Sequence, residues 1–222
     1  MTNTTPISLS KNLTIGGTDI LLLAGPCSVE SYEQTYAVAK SMNALGLRVL
    51  GGGAFKPRTS PNAFQGLGLE GLKILRQVAD EFGLLVISEA LGVEQLPLVA
   101  EYSDIIQIGS RNMQHFPLLW AAGEQPKPIL LKRGFMSTIQ EWLAAVEHIT
   151  SRGNQNIILC ERGIRSFDSS TRNVLDVSAI AQIKASTHFP IIADPSHATG
   201  RADLVPAASR AALAAGADGL IV

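Results

Sequence analysis

Cysteine is nearly absent. Two residues of this type in 222, Cys27 and Cys160, are too few for a disulfide framework, so each must be judged as a core residue, a ligand or a nucleophile. No apolar run approaches the roughly 18 residues of a membrane-spanning helix, and the first twenty residues lack the basic start and apolar core of a signal peptide. Charge of one sign is missing as well. With 18 Lys+Arg against 19 Asp+Glu and a net charge of -1, the chain carries no global electrostatic footprint for nucleic acid or a membrane surface. The expectation is a cytoplasmic protein with neither partner, in which any anion site is local.

What is present is a regular alternation. The composition, 46% hydrophobic and 17% charged, suits a compact core, and no linker or low-complexity stretch divides the chain. Residues 1–19 read as a polar lead with a short hairpin around Gly16-Gly17. From residue 20 to 222, eight apolar strand-like runs recur: Ile20 to Ala24, Arg48 to Gly52, Leu84 to Ser88, Asp104 to Ile108, Pro128 to Lys132, Asn156 to Cys160, Pro190 to Ala193 and Asp218 to Val222. Their starts lie about 28 residues apart, close to the length of a βα unit. Seven patterns with apolar residues three and four apart separate them: Tyr32 to Leu45, Gly68 to Phe82, Val93 to Tyr102, Met113 to Ala122, Thr138 to Arg152, Val174 to Ser186 and Leu204 to Ala215. Uninterrupted apolar strands are buried on both faces, which predicts a parallel sheet, and eight units predict an α/β fold of the (β/α)8 TIM-barrel class. The eighth strand is the last element, so the barrel is expected to lack its final helix, with the open flank covered by a partner or left by a shortened C-terminus.

In such a barrel the active site lies at the C-terminal ends of the strands. The residues following each run are Gly25-Pro26-Cys27-Ser28-Val29-Glu30, the loop from Gly51 to Pro61 with Lys56, Arg58 and Thr59, then Glu89, Arg111, Lys132-Arg133, Glu161-Arg162 and Asp194-Pro195-Ser196-His197. Arg111, Lys132 and Arg162 at one mouth would repel each other unless an anion sits among them. A glycine-rich loop with a compact ammonium and a planar guanidinium suits a phosphorylated ligand. Cys27 and His197 admit two readings, a thiolate–imidazole pair for a transition metal or a nucleophile with its base; the second explains none of the cations. Cys160 reads as a buried strand residue, and His115, His148 and His188 as structural.

The segments Ala24 to Ser31, Gly52 to Pro61, Phe64 to Gly68, Ile108 to Met113, Leu130 to Gly134, Cys160 to Arg165 and Asp194 to His197 closely resemble those of the short, single-barrel 3-deoxy-D-arabino-heptulosonate 7-phosphate (DAHP) synthases, in order and over nearly the whole chain from about Leu13. The resemblance implies condensation of phosphoenolpyruvate with erythrose 4-phosphate, the first step of the shikimate pathway to aromatic amino acids, with a divalent metal of the Mn, Fe, Co or Zn class as cofactor. It implies Cys27 and His197 as metal ligands and Lys56 as the lysine that contacts phosphoenolpyruvate and delivers a proton. Arg111, Lys132 and Arg162 correspond to the phosphoenolpyruvate clamp with Glu89 close by, Arg58 and Thr59 to the erythrose 4-phosphate phosphate site, and Asp194 to a sugar-hydroxyl contact. A homo-oligomer, dimer or tetramer, is expected.

Two positions depart from the family pattern. Gly51 stands where an arginine is usual, and the family's remaining metal ligands, a glutamate and an aspartate, follow the eighth strand, after Val222. Two ligands of four predict weakened metal binding by these residues alone. The alternatives are the sister synthase that uses arabinose 5-phosphate to make 3-deoxy-manno-octulosonate 8-phosphate, which carries a different sequence at the Lys56 loop, and a truncated, non-catalytic barrel paralogue.

Overall fold

The structure, a computed structural model, describes residues 4–58 and 60–222. Two short antiparallel strands come first, β1 (Ile7–Ser10) and β2 (Leu13–Ile15). Pairing of Ser10 with Leu13 makes Lys11-Asn12 the two-residue turn, not Gly16-Gly17 as expected from the glycines. A turn at Gly16-Gly17 would need the next apolar run as its second strand, and that run belongs to the barrel.

Eight parallel strands then close on themselves: β3 (Leu21–Ala24), β4 (Val49–Gly51), β5 (Leu85–Glu89), β6 (Ile105–Ile108), β7 (Ile129–Lys132), β8 (Ile157–Glu161), β9 (Ile191–Ala193) and β10 (Gly219–Ile221), with β10 pairing β3. This is the expected (β/α)8 barrel. Between the strands run α1 (Tyr32–Ala44), α2 (Leu69–Phe82), α3 (Leu96–Tyr102), α4 (Phe116–Gly123), α5 (Ile139–Thr150) and α6 (Val177–Ser186); α7 (Pro195–Thr199) and α8 (Val205–Ala214) both lie between β9 and β10. The unforeseen α7 forms because Asp194 accepts from the His197 backbone N–H and Pro195 is preset for a first turn. Three helices start three residues later than their apolar patterns. Pro97 and Pro117 fix the first turns of α3 and α4, and Val174 is drawn off α6 into a bridge with Ile164, leaving Asp176 to cap the helix. At the start of β3 the outward side chains Ile20 and Leu22 remain 50% and 38% exposed. Among the described residues no helix is long and apolar enough to cross a membrane.

The strands alternate with a period of two, one side chain toward the barrel axis and the next toward the helices. Leu21, Leu23, Val49, Ile87, Ile105, Leu130, Ile158, Cys160 and Ile192 fill the axis, joined at its N-terminal end by Ile7 and Ile15 from the hairpin. Ile106, Ile108, Leu131, Ile157 and Leu159 point outward against Trp142, Ile149 and Ile180 of the helices. The hairpin is therefore the barrel's plug. It is held in place by the Thr5 N–H to the His188 carbonyl at 2.7 Å and by Lys184 Nζ to Thr4 Oγ1 at 2.6 Å.

Ile15 has no solvent exposure, so Ile15→Ala is expected to cost about 2–5 kcal/mol through lost burial and a residual cavity. The exposed Thr14→Ala should stay within about 0.5 kcal/mol. Urea unfolding of both variants checks this, and equal midpoints would refute the plug.

Candidate active site

The same alternation builds the opposite end of the barrel. Continuing the inward register past the apolar plug puts Gly51 of β4, Glu89 of β5, Gln107 of β6, Lys132 of β7 and Asp194 after β9 around one cavity of about 780 Å³. The outward register takes Arg133 and Glu161 elsewhere. Both are buried, Arg133 Nη1 lies 3.0 Å from Glu161 and 2.9 Å from Asp176, and this network sits between barrel and helices. Of the neighbouring charges at the ends of β7 and β8, only Lys132 and Arg162 line the cavity.

At the floor, Lys132 Nζ meets Asp194 Oδ2 at 2.6 Å, with both side chains buried. Burial alone would lower the ammonium and raise the carboxyl. Their mutual attraction reverses both: Lys132 is held above its ordinary value, and Asp194 well below the usual carboxylate range, with His197 contributing. Asp194 Oδ2 also accepts from His197 Nδ1 at 2.8 Å, and Oδ1 from the His197 N–H at 2.9 Å. One carboxylate thus orients both the lysine and the imidazole. Burial raises the Glu89 carboxyl, opposed by Lys132 and Lys56. Its Oε1 packs against Gly109, the residue before the Arg111 turn, so closely that a Cβ there would lie 2.0 Å away and would displace the carboxylate.

Cys27, exposed on the loop after β3, faces Lys56 and His197. Lys56 Nζ donates to the Cys27 carbonyl and lies 3.4 Å from Sγ. The hydrogen bond with the His197 side chain, reinforced by Lys56, brings the Cys27 pKa down to about 6, so the sulfur is a thiolate at neutral pH. Cys160 is fully buried on the axis and its thiol is pushed far up by burial, as a strand residue should be. Cys27 and His197 do come together. Asp194 fixes Nδ1 of the imidazole, which leaves Nε2 as the ring nitrogen available to the Cys27 side or to a metal, the usual arrangement behind a metal-binding histidine. Among the described residues no third His, Cys, Asp or Glu completes a cluster.

The rest of the rim is basic. Arg58 lines the cavity, its Nε donating to the Phe64 carbonyl at 3.2 Å; Thr59 lies outside the described residues. Arg111 stands on a 3₁₀ turn (Ser110–Asn112), and Arg162 is buried with Nη1 lacking any hydrogen-bond partner. Arg165, Arg172 and Arg201 join them, residues to which the sequence reading gave no role. Arg165 was within reach, three residues past Arg162. Arg172 was not, because it arrives only where the Ile164–Val174 bridge folds the loop back onto α7. Eight lysines and arginines line the cavity against two carboxylates, and among the described residues Lys56, Arg58, Arg111, Arg162, Arg165 and Arg172 have no carboxylate within 4.0 Å. Such a surplus in a concave site concentrates anions there.

The sequence model of the DAHP synthetase I family matches residues 4–222. The chain belongs to the DAHP synthetase I family. It is 57% identical over 208 residues to the phospho-2-dehydro-3-deoxyheptonate aldolase of Thermotoga maritima, an alignment that takes in 94% of this chain and 62% of that protein. The crystal structure of the T. maritima DAHP synthase superposes with a TM-score of 0.95 at 55% identity, over 99% of this chain and 64% of the other. A truncated form of the T. maritima enzyme gives 0.91 at 51% identity, with 79% of that chain covered. The 2-dehydro-3-deoxyphosphooctonate aldolase of Syntrophotalea carbinolica is more distant, at 35% identity over 94% of this chain and 81% of that protein. This member of the DAHP synthetase I family therefore spans about three-fifths of the length of its 57%-identical relative. At Gly51, where the resemblance implies an arginine, a Cβ would meet Ile87 at 3.5 Å and the Ala24 carbonyl at 3.6 Å, ordinary van der Waals contacts.

Titration with iodoacetamide separates the two thiols of this DAHP synthetase I chain. Cys27 should alkylate at a rate that rises through about pH 6 and then levels, while Cys160 stays unreacted in the folded protein. A Cys27 midpoint above pH 8, read by mass spectrometry, would contradict the thiolate described here.

Proposed function

We propose that this chain carries the reaction centre of a DAHP synthase, condensing phosphoenolpyruvate with erythrose 4-phosphate to DAHP and phosphate. The observation that carries the reading is the set of unpaired cations around a cavity whose floor holds Lys132, Asp194, His197 and Cys27. Two phosphorylated substrates supply the charge that this rim lacks. Arg111, Lys132 and Arg162 take the phosphate and carboxylate of phosphoenolpyruvate, with Glu89 beside them, and Arg58 and Thr59 take the phosphate of the aldose.

In the reaction, C3 of phosphoenolpyruvate attacks the aldehyde carbon, water adds at C2, and phosphate leaves. Lys56, held between Cys27 and the incoming substrates, gives its proton to the aldehyde oxygen as the new bond forms. Cys27 and His197 fit as two donors to a divalent metal, a thiolate and an oriented imidazole. When bound, that ion supplies Lewis-acid polarisation of the aldehyde carbonyl. Asp194 keeps the His197 ring and the Lys132 ammonium in register with one another. The greater identity to the heptonate relative than to the octonate one supports the four-carbon aldose.

Phosphate release from phosphoenolpyruvate should depend on erythrose 4-phosphate, exceed that with arabinose 5-phosphate, and stop on chelation. A preference for arabinose 5-phosphate would move the chain to the sister reaction. Independently of turnover, Co²⁺ should give a thiolate charge-transfer band that Cys27→Ser abolishes. Gly51→Arg should lower KM for phosphoenolpyruvate by roughly tenfold, the order of one charge-assisted hydrogen bond.

A further inference from the structure

We propose that Phe135 is the positioning residue of the anion site, the post against which the guanidinium groups of Arg111, Arg162 and Arg165 are arrayed so that all three converge on one phosphate or carboxylate ligand. Phe135 lies in the loop after β7, half-buried at the cavity wall. The Cζ atoms of Arg162, Arg165 and Arg111 stand 4.8, 5.0 and 5.3 Å from its ring centroid. Those arginines come from the loops after β6 and β8, and hydrogen bonds hold both loops to the Phe135 segment. The Arg165 N–H donates to the Phe135 carbonyl at 2.7 Å, and the Gly134 N–H to the sulfur of the buried Met113, just past the turn that carries Arg111, at 3.1 Å.

The chemistry favours an aromatic at this point. Three guanidiniums around one ring lie no more than about 10 Å apart, near one Debye length, so they repel one another. A carboxylate among them would relieve the repulsion but occupy the N–H donors that the ligand needs. A ring instead attracts guanidiniums through its quadrupole and leaves their in-plane N–H groups free. The buried Arg162 Nη1, with no hydrogen-bond partner, is such a free donor. Arg165 thereby joins the clamp as a third guanidinium.

The assignment of the ligand as phosphoenolpyruvate rests on the function proposed above; the array itself is tested with a simpler probe. Calorimetric titration of the Mn²⁺-supplemented protein with inorganic phosphate, then with phosphoenolpyruvate, should show Phe135→Leu weakening both by about tenfold and Phe135→Trp restoring both. In turnover, Phe135→Leu should raise KM for phosphoenolpyruvate more than it lowers kcat. Arg165→Met should cost less affinity in the Phe135→Leu background than in the wild type, the signature of one coupled unit. Unchanged phosphate affinity in a folded Phe135→Leu protein overturns the array. Wild-type protein that binds phosphate but not phosphoenolpyruvate overturns the substrate reading and leaves the array standing; binding of neither overturns both.

Discussion

The two-residue alternation of a parallel strand inside a closed barrel is the constraint on which everything else rests. It gives each strand one register that points at the axis and one that points at the helices, and closure makes all the axial registers converge. Below, that convergence produces an apolar plug completed by Ile7 and Ile15 of the hairpin. Above, it produces Glu89, Gln107, Lys132 and Asp194 around one cavity. Lys132 and Arg133 are adjacent in sequence and end up in different compartments for this reason alone.

The two compartments handle charge in opposite ways. Between barrel and helices, Arg133 is matched by Glu161 and Asp176, and Glu161 is further satisfied by the Gly163 N–H at 2.6 Å. In the cavity, Asp194 is the only carboxylate ion-paired to a floor cation among the described residues, and Arg58, Arg111, Arg162, Arg165 and Arg172 have no carboxylate partner there. A fully matched network rigidifies the fold, whereas an unmatched one is held ready for ligand charge. Asp194 joins both purposes, since its two oxygens fix Lys132, the His197 ring and the first turn of α7 together.

The loops that close the cavity are bound to one another as much as to the barrel. Asn173 donates to the His197 carbonyl at 3.1 Å, and the N–H groups of Arg172 and Asn173 donate to Thr199 and Ala198. The segment after β8 is therefore pinned to α7. Together with the Arg165–Phe135 and Gly134–Met113 links, this makes the rim after β6 to β9 a connected surface, as a site that must hold several like charges in place requires.

The amino-acid sequence by itself determined the barrel. Eight apolar runs at a βα spacing and seven amphipathic segments admit few other parallel folds, and the strand bounds shift by no more than about two residues in the structure because burial on both faces leaves no freedom of register. The ordered motifs around Cys27, Lys56, Arg111, Lys132, Arg162 and His197 likewise pointed to one mouth, since strand ends must meet there, and these residues do line one cavity. Only the tertiary structure decided which of two adjacent charges faces the axis, placed the hairpin turn at Lys11-Asn12, made a helix of Pro195–Thr199, and brought Arg165, Arg172 and Phe135 to the rim. Those outcomes depend on the phase of each strand about the barrel axis and on contacts between loops distant in sequence, neither of which is encoded in local pattern.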